Sequence, residues 1–485
     1  MIGPVPLLPI QRAWLDLDPP EPHHHNQALL LEATRPLDPD HLRRALAALL
    51  VHHDMLRVRL GRVDSVWAQT IAPPNESPPE ALLDLLDLAE VPNADRDAAI
   101  EAEATRIQRS LDLARGPVIR ALLVRAGASA PERLLLAAHH LAVDGVSWRV
   151  LLGDLWTAYE AIAAGAPIAL PPKTTSYRAW AERLLEHVRS GARDGEAGYW
   201  LSPLRSRARP LPAVPGDDLE KDAISALFEL DESATESLLR EVPEAYHTQI
   251  SDVLLAALAP ALARFTGSTV VLVDLEGHGR EEIFPDLDVS RTVGWFTTLF
   301  PAVLSIDADI DASPGAHLTS IKEQLRSIPE RGLGYGLLRY LRGDASIEPA
   351  LRAMPAAEVV WNYLGQLDQA LPASAPLRWA EGPIGPSKSP LQRRGHALDL
   401  NAHVIGGRLR LRIAYGARRF SRAMIEELGA SFLASLRRLI EHCRSPGAAG
   451  YSPSDFTKVK LDQQELDDVL DDLDDLDDLD EQELG

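Results

Sequence analysis

The sequence predicts an α/β (α+β) protein built as two lobes, and three observations carry that prediction. Residues 1–170 alternate strand-like and helix-like stretches, and a second alternating series follows a connector rich in Pro, Arg and Gly. Apolar residues make up 46% of the chain and charged ones 25%, the proportions of chains that bury a core. A length of 485 residues suits two to four compact units at about 100–200 residues each.

In the first series, apolar Ala28 to Leu31 reads as a strand. Asp38 or Asp40 can cap the next helix, where Leu42, Leu46, Leu49 and Leu50 keep helical spacing, and Met55 to Leu60 returns to strand. Val118 to Val124 and Leu134 to Ala138 are two further strands. A helix from about Ser147 to Ala163 gathers Trp148, Leu151, Leu152, Leu155, Trp156 and Tyr159 on one stripe. The connector, Pro171 to Pro215, holds one amphipathic stretch at Tyr177 to Val188. Beyond it come strand Ala226 to Leu230, helix Asp252 to Phe265, strand Thr269 to Leu275 and helix Ala316 to Ile328. Strand Val359 to Leu364, a hairpin around Gly406 and Gly407, and helix Ser421 to Cys443 complete the series. The expected division is 1–175 for the N-terminal lobe, 176–457 for connector and C-terminal lobe, and 458–485 for an acidic tail.

The 49 Lys and Arg against 71 Asp and Glu give −22, but 13 of the acids fall in residues 462–485, which hold no base. Residues 1–461 therefore carry 58 acids against 49 bases, only −9. Without a basic cluster the chain is not expected to bind nucleic acid, whose phosphates require cationic side chains. A single cysteine, Cys443, excludes an intrachain disulfide framework and a thiolate metal site, which favours a reducing compartment. The start, MIGPVPLLPIQRAW, lacks a signal peptide's basic and apolar segments, and no apolar run reaches the ~18 residues of a membrane span, so a cytoplasmic location is expected. In the tail, Leu470, Leu473, Leu476 and Leu479 recur every third residue among aspartates. Mutual repulsion makes this a solvated segment, and the leucine stripe makes it a candidate docking element for a basic partner.

Two strand ends could carry chemistry. In AAHHLAVDGVSW, residues 137–148, a strand delivers His139 and His140 to opposite faces, ahead of a loop with Asp144 and Gly145. A neutral imidazole exchanges protons near pH 7. Spacing alone favours two satisfied core or surface histidines. In TVVLVDLEGHGRE, residues 269–281, a buried run ends at Glu276, whose partial desolvation would raise its pKa; pairing with Arg280 would make it purely structural. The chain has no GxGxxG, Walker, GxSxG or HExxH motif, and no metal site is expected. His23, His24 and His25 read as a polar loop, and His52, His53 and Asp54 as structural.

HHLAVDG at 139–145 resembles the HHxxxDG signature of the condensation superfamily of nonribosomal peptide synthetases, and the chain looks most like its epimerization domains. The resemblance spans eight ordered blocks: LLPIQRAW near the start, HHLAVDGVSWRVL, SDVLLAAL at 251–258, EGHGRE at 276–281, RTVGWFTTLFP at 291–301, PERGLGYG at 329–336, WNYLGQLD at 361–368 and YSPSDF at 451–456. HHxxxDG is shared with amide-forming domains, whereas EGHGRE, VGWFT and NYLGQ resemble the epimerization versions. Trp361 replaces a usual Phe, and Phe300 a common Tyr.

The resemblance implies two chloramphenicol-acetyltransferase-like lobes in a V-shaped pseudo-dimer with a tunnel between them. It implies a peptidyl carrier protein as partner, whose phosphopantetheine arm presents an aminoacyl or peptidyl thioester, with no cofactor bound by the domain itself. His140 and Glu276 are the expected acid/base pair, with His139, Asn362 and Tyr363 shaping the pocket. Asp144 is expected to pair with Arg291 across the lobes, Gly145 to permit a tight turn, and Trp295 and Phe296 to line the tunnel or fill the core. A downstream synthetase subunit is the expected partner of the tail. The rival readings are an amide-forming condensation domain and a silent carrier-binding or docking module.

Overall fold

Near-continuous apolar runs become central strands, because only a strand covered on both faces can bury every side chain it carries. In the computed structural model, which describes residues 2–74, 78–127, 130–456 and 465, this is the fate of Leu134–Ala138. The strands are β1 (Gly3–Val5), β2 (Asn26–Ala33), β3 (Val58–Val63), β4 (Val66–Ile71), β5 (Leu83–Asp87), β6 (Ile119–Arg125) and β7 (Arg133–His139), followed by β8 (Ala223–Glu229), β9 (Val270–Gly277), β10 (Thr298–Ser305), β11 (Val359–Gln366), β12 (Leu377–Trp379), β13 (Leu398–Ile405) and β14 (Arg408–Gly416). β7 lies in the middle of a sheet ordered β12-β2-β7-β6-β5. Its Leu134, Leu136 and Ala138 enter one core, and Leu135 and Ala137 a smaller one on the opposite face.

The second lobe is built on the sheet β10-β9-β11-β13-β14-β8. Its β13–β14 hairpin turns through Gly406 and Gly407, both at positive φ (56° and 71°), as a two-residue turn between twisted strands requires. Helices Ile250–Thr266 and Arg422–Cys443 cover the sheet's inner face. The YSPSDF block docks on this lobe through Asp455, which takes two hydrogen bonds from the buried Lys322 ammonium (2.7 and 2.6 Å). The two sheets and their covering helices make two lobes, each with its own large core.

Asp38 is the cap of helix Pro39–His52, accepting from Asp40 N and His41 N. Helix Gly145–Ala163 begins two residues before Ser147, because the Asp144 carboxylate caps it. The chain also crosses between lobes. Helix Tyr177–Arg189 of the connector buries Tyr177, Trp180 and Leu184 in the first core, together with Val293, Trp295 and Phe296 from beyond β9. β12 pairs antiparallel with β2, extending the first sheet with a strand from late in the chain. Between the lobes, therefore, the ends of β7 and β9 are spanned by segments from both halves of the sequence. The acidic segment 458–485 falls outside the described residues except for Glu465. Among the described residues no helix is long and apolar enough to cross a membrane.

Candidate active site

β7 ends at His139, and the turn that follows sends the next two side chains to different sides. His139 points inward and is fully buried. Its Nε2 donates to Pro22 O (2.8 Å) and its Nδ1 accepts from Leu141 N (3.0 Å), while burial pushes its pKa down to about 3. Both nitrogens are engaged within the protein, so His139 has no ring nitrogen left to offer a substrate.

His140 faces the lobe boundary and is held at both nitrogens. Nδ1 meets Val143 O at 3.0 Å; a carbonyl only accepts, so Nδ1 carries the proton. Nε2 meets Gln27 Nε2 at 3.0 Å, and the indole of Trp148 donates to Gln27 Oε1 at 2.8 Å. Since an indole N–H can only donate, the Gln27 amide must turn its NH₂ toward His140. The two ends agree: His140 Nε2 carries no proton and accepts from the Gln27 amide. Burial lowers the His140 pKa, keeping the ring neutral near pH 7. Trp295 packs on the ring at 4.3 Å between centroids and His25 stacks on it at 5.5 Å.

Glu276 leaves the end of β9. It is open to solvent at its own surface yet surrounded by protein beyond, as a group on the wall of a deep cleft is, and burial pushes its carboxyl up to about 7. β11 runs parallel to β9 with Trp361 beside Leu275, which puts Asn362 next to Glu276, and its amide donates to the carboxylate at 2.7 Å. Two residues back on the same face, Asp274 pairs with His396 at 2.8 Å and raises the His396 pKa against the effect of burial. The positive charge of Lys388 acts on both His140 and Glu276, placing the two groups within electrostatic reach of one ammonium. Lys388 itself pairs with Glu220 at 2.9 Å.

The expected pairing of Asp144 with Arg291 is corrected. Asp144 binds Arg280, both guanidinium nitrogens lying 3.1 Å from its carboxylate oxygens. It also accepts from Ser147 N (2.7 Å), Ser147 Oγ (2.8 Å) and Phe296 N (3.1 Å). Arg291 instead binds Asp154 at 2.6 Å, where His53 also donates at 2.9 Å. Asp154 lies ten residues along the same helix from Asp144, or about 15 Å at 1.5 Å per residue. Arg280 wins the nearer carboxylate because the chain reverses at Gly279. That residue has φ of 68°, and an added Cβ would sit 1.7 Å from Phe296 O. Arg280 is accordingly not the partner of Glu276.

Gly145 needs a different account from the tight turn expected of it, because its φ is not positive and an added Cβ would meet nothing within 4 Å. Tyr363 alternates to the face of Trp361 and packs against the second core, away from the Asn362 side. Phe296 lies under the Arg280 guanidinium at 4.0 Å and lines an interlobe cavity; Trp295 is buried against Trp14, His25 and His140. Gln27, His25, Lys388 and His396 were not anticipated. Gln27 sits opposite Ala138 and Asn26 opposite His139 in the β2–β7 register, so a correct strand pairing would have found Gln27.

A condensation-domain family model matches residues 1–461. The chain belongs to the condensation-domain family. As a condensation-family domain it is 42% identical over 473 residues to a linear gramicidin synthase component of Brevibacillus parabrevis, covering 96% of this chain and 6% of that protein. It is 38% identical over 474 residues to surfactin synthase subunit 1 of Bacillus subtilis (strain 168), covering 97% of this chain and 13% of that protein. The domain thus spans a small part of these relatives. Among solved structures, the epimerization domain from the third module of tyrocidine synthetase B superposes with a TM-score of 0.83 at 32% identity, covering 91% of this chain and 97% of that one.

Proposed function

We propose that this condensation-family domain epimerizes the α-carbon of an aminoacyl or peptidyl thioester carried on the phosphopantetheine arm of a peptidyl carrier protein, in nonribosomal peptide biosynthesis. One observation carries the reading: two acid/base groups, His140 with an unprotonated Nε2 that accepts from Gln27 and Glu276 with its carboxyl pushed up to about 7, emerge from strand ends of opposite lobes. Inversion requires a proton to leave one face of the carbon and return to the other, and groups with pKa values near the working pH do this best.

In one direction, a substrate C–H displaces the Gln27 amide from His140 Nε2, which takes the proton. The C–H electron pair moves into the thioester to give an enolate. Glu276, protonated below about 7, then delivers its proton to the opposite face. The site ends as imidazolium and carboxylate, the pair that runs the reverse reaction with the roles exchanged. Nδ1–H of His140 stays on Val143 O throughout, so the ring does not turn when it gains charge. Asn362, already donating to Glu276, favours the carboxylate that forms. The similarity to the tyrocidine synthetase epimerization domain supports the same reading.

The test is a carrier loaded with an L-aminoacyl thioester, incubated with this domain in deuterated water. Label at the α-carbon together with D product is the expected result. Amide formation with a second loaded carrier and no inversion would establish a condensation domain instead, and binding without either would leave a docking module. For the acidic segment 462–485 we propose a basic docking surface on a downstream synthetase subunit. Its deletion should leave inversion unchanged and weaken handover in a salt-sensitive way; unchanged handover would reduce it to a solubilising extension.

A further inference from the structure

Arg205 lies in the short turn Pro203–Arg207 and is 3% exposed, yet its Nε and Nη1 have no hydrogen-bond partner and its charge no ion-pair partner among the described residues. Its compensation from the protein is the face of Tyr335, 5.8 Å away. An arginine stays protonated in a protein, and a buried charge without a counter-ion is costly. The guanidinium borders a cavity of ≈ 100 Å³ between the lobes, walled by Ile10, Trp180, Leu184 and Phe296 on one side and by Tyr335 and Thr298 on the other. The charged groups that also line it have partners of their own. Asp274 holds His396, and Arg339 donates to the hydroxyls of Tyr335 and Tyr340 and to Leu351 O. His140, Glu276 and Asn362 do not line it.

We infer that this cavity is a binding site for a short aliphatic carboxylate whose anionic end pairs with Arg205. The apolar walls disfavour a fully hydrated anion such as phosphate, and the cation disfavours a neutral hydrocarbon. The size suits a chain of about two to four carbons, since cavities of roughly 150 Å³ accept benzene. Because the walls come from both lobes, the ligand braces one against the other. The inference does not depend on the acid/base reading of His140 and Glu276.

The experiment is thermal melting of the intact domain with propionate, propionamide, inorganic phosphate and chloride at equal ionic strength. Propionate should raise the melting temperature saturably, by about 2 °C or more, and the other three should not. Arg205→Met should abolish that response and melt no lower than the wild type, because it removes an uncompensated charge while keeping an apolar side chain. Arg205→Lys should keep part of the response. Equal effects of propionate and propionamide would overturn the inference, as would a phosphate response without a propionate response. A large loss of stability or of folding in Arg205→Met would also overturn it, since Arg205 would then already have a protein partner.

Discussion

The ends of β7 and β9 solve the same problem by opposite electrostatic means. Burial disfavours charge at both, which lowers the pKa of a base and raises that of an acid, so His140 and Glu276 are both shifted toward their neutral forms. They differ in how firmly they are held. His140 is fixed at both nitrogens and packed against Trp295 and His25, whereas Glu276 has one fixed partner, Asn362, and an open face. On the proposed mechanism one lobe supplies a firmly held proton acceptor and the other a solvent-exposed donor. Because the pair shares one mobile proton, both substrate antipodes should follow the same pH profile. The L and D directions use two distributions of that proton, and these have the same total protonation.

The largest effect comes from removing either end. His140→Ala and Glu276→Gln should each cut α-proton exchange by about 10²–10⁴-fold, and the double variant should lose little more than the worse single one, because the two groups act as a unit. Glu276→Gln carries a second signature. The carboxyl's folded pKa, about 7, lies above its ordinary value of 4.5, so the folded state holds the proton more tightly than the unfolded chain. That contribution is present below about 4.5 and is lost as pH rises through about 7. Glu276→Gln should therefore melt higher than the wild type at pH 8 and no higher at pH 5. Equal melting differences at both values would show that Glu276 is an ordinary solvated acid.

A second effect separates holding the lobes together from chemistry. Asp144 and Arg280 are both buried, and the carboxylate also caps a helix and binds Phe296 N of the later segment that packs in the first core. Removing one partner leaves an uncompensated charge, which typically costs about 3–5 kcal/mol. Asp144→Ala and Arg280→Met should each lower stability by that order in chemical denaturation. The double variant should recover part of the loss. Arg291→Met, which the sequence placed in this role, should act instead through Asp154 and His53 and show no coupling to Asp144→Ala.

What could be read before the fold was known follows from how local each signal is. His140 and Glu276 end apolar runs, and a run that stops at a polar residue marks a strand end without tertiary information. A helix cap at Asp38 or Asp40 and a turn at Gly406–Gly407 are equally local. The partner of Asp144 is not, because Arg280 and Arg291 are both plausible by chain distance. The choice rests on the reversal at Gly279, which only the close approach of Phe296 O makes compulsory. Lys388 and His396 come from the segment that returns across the lobes around β12, where no periodicity marks a strand three residues long. Helix Tyr177–Arg189 was visible as an amphipathic stretch, but its membership in the first core depends on packing the sequence does not order.

The smallest effect tests the rigid end alone. Gln27 donates to His140 Nε2 because Trp148 holds its oxygen. Gln27→Glu replaces that donor with a carboxylate, which can only accept, so Nε2 must keep a proton to satisfy it. An adjacent opposite charge raises an imidazole pKa, here by about 1 unit or more, against the burial that lowers it in the wild type. The base form then appears only at higher pH, so the acid limb of the exchange profile should move up while the limb set by Glu276 stays near 7. Titration of the His140 ring nitrogens by NMR measures the same shift without substrate, and should move with the kinetic limb. A moved NMR titration with an unmoved kinetic limb would remove His140 from the proton path while leaving the hydrogen-bond chain intact. An unmoved titration would mean that Gln27 does not set the state of the ring.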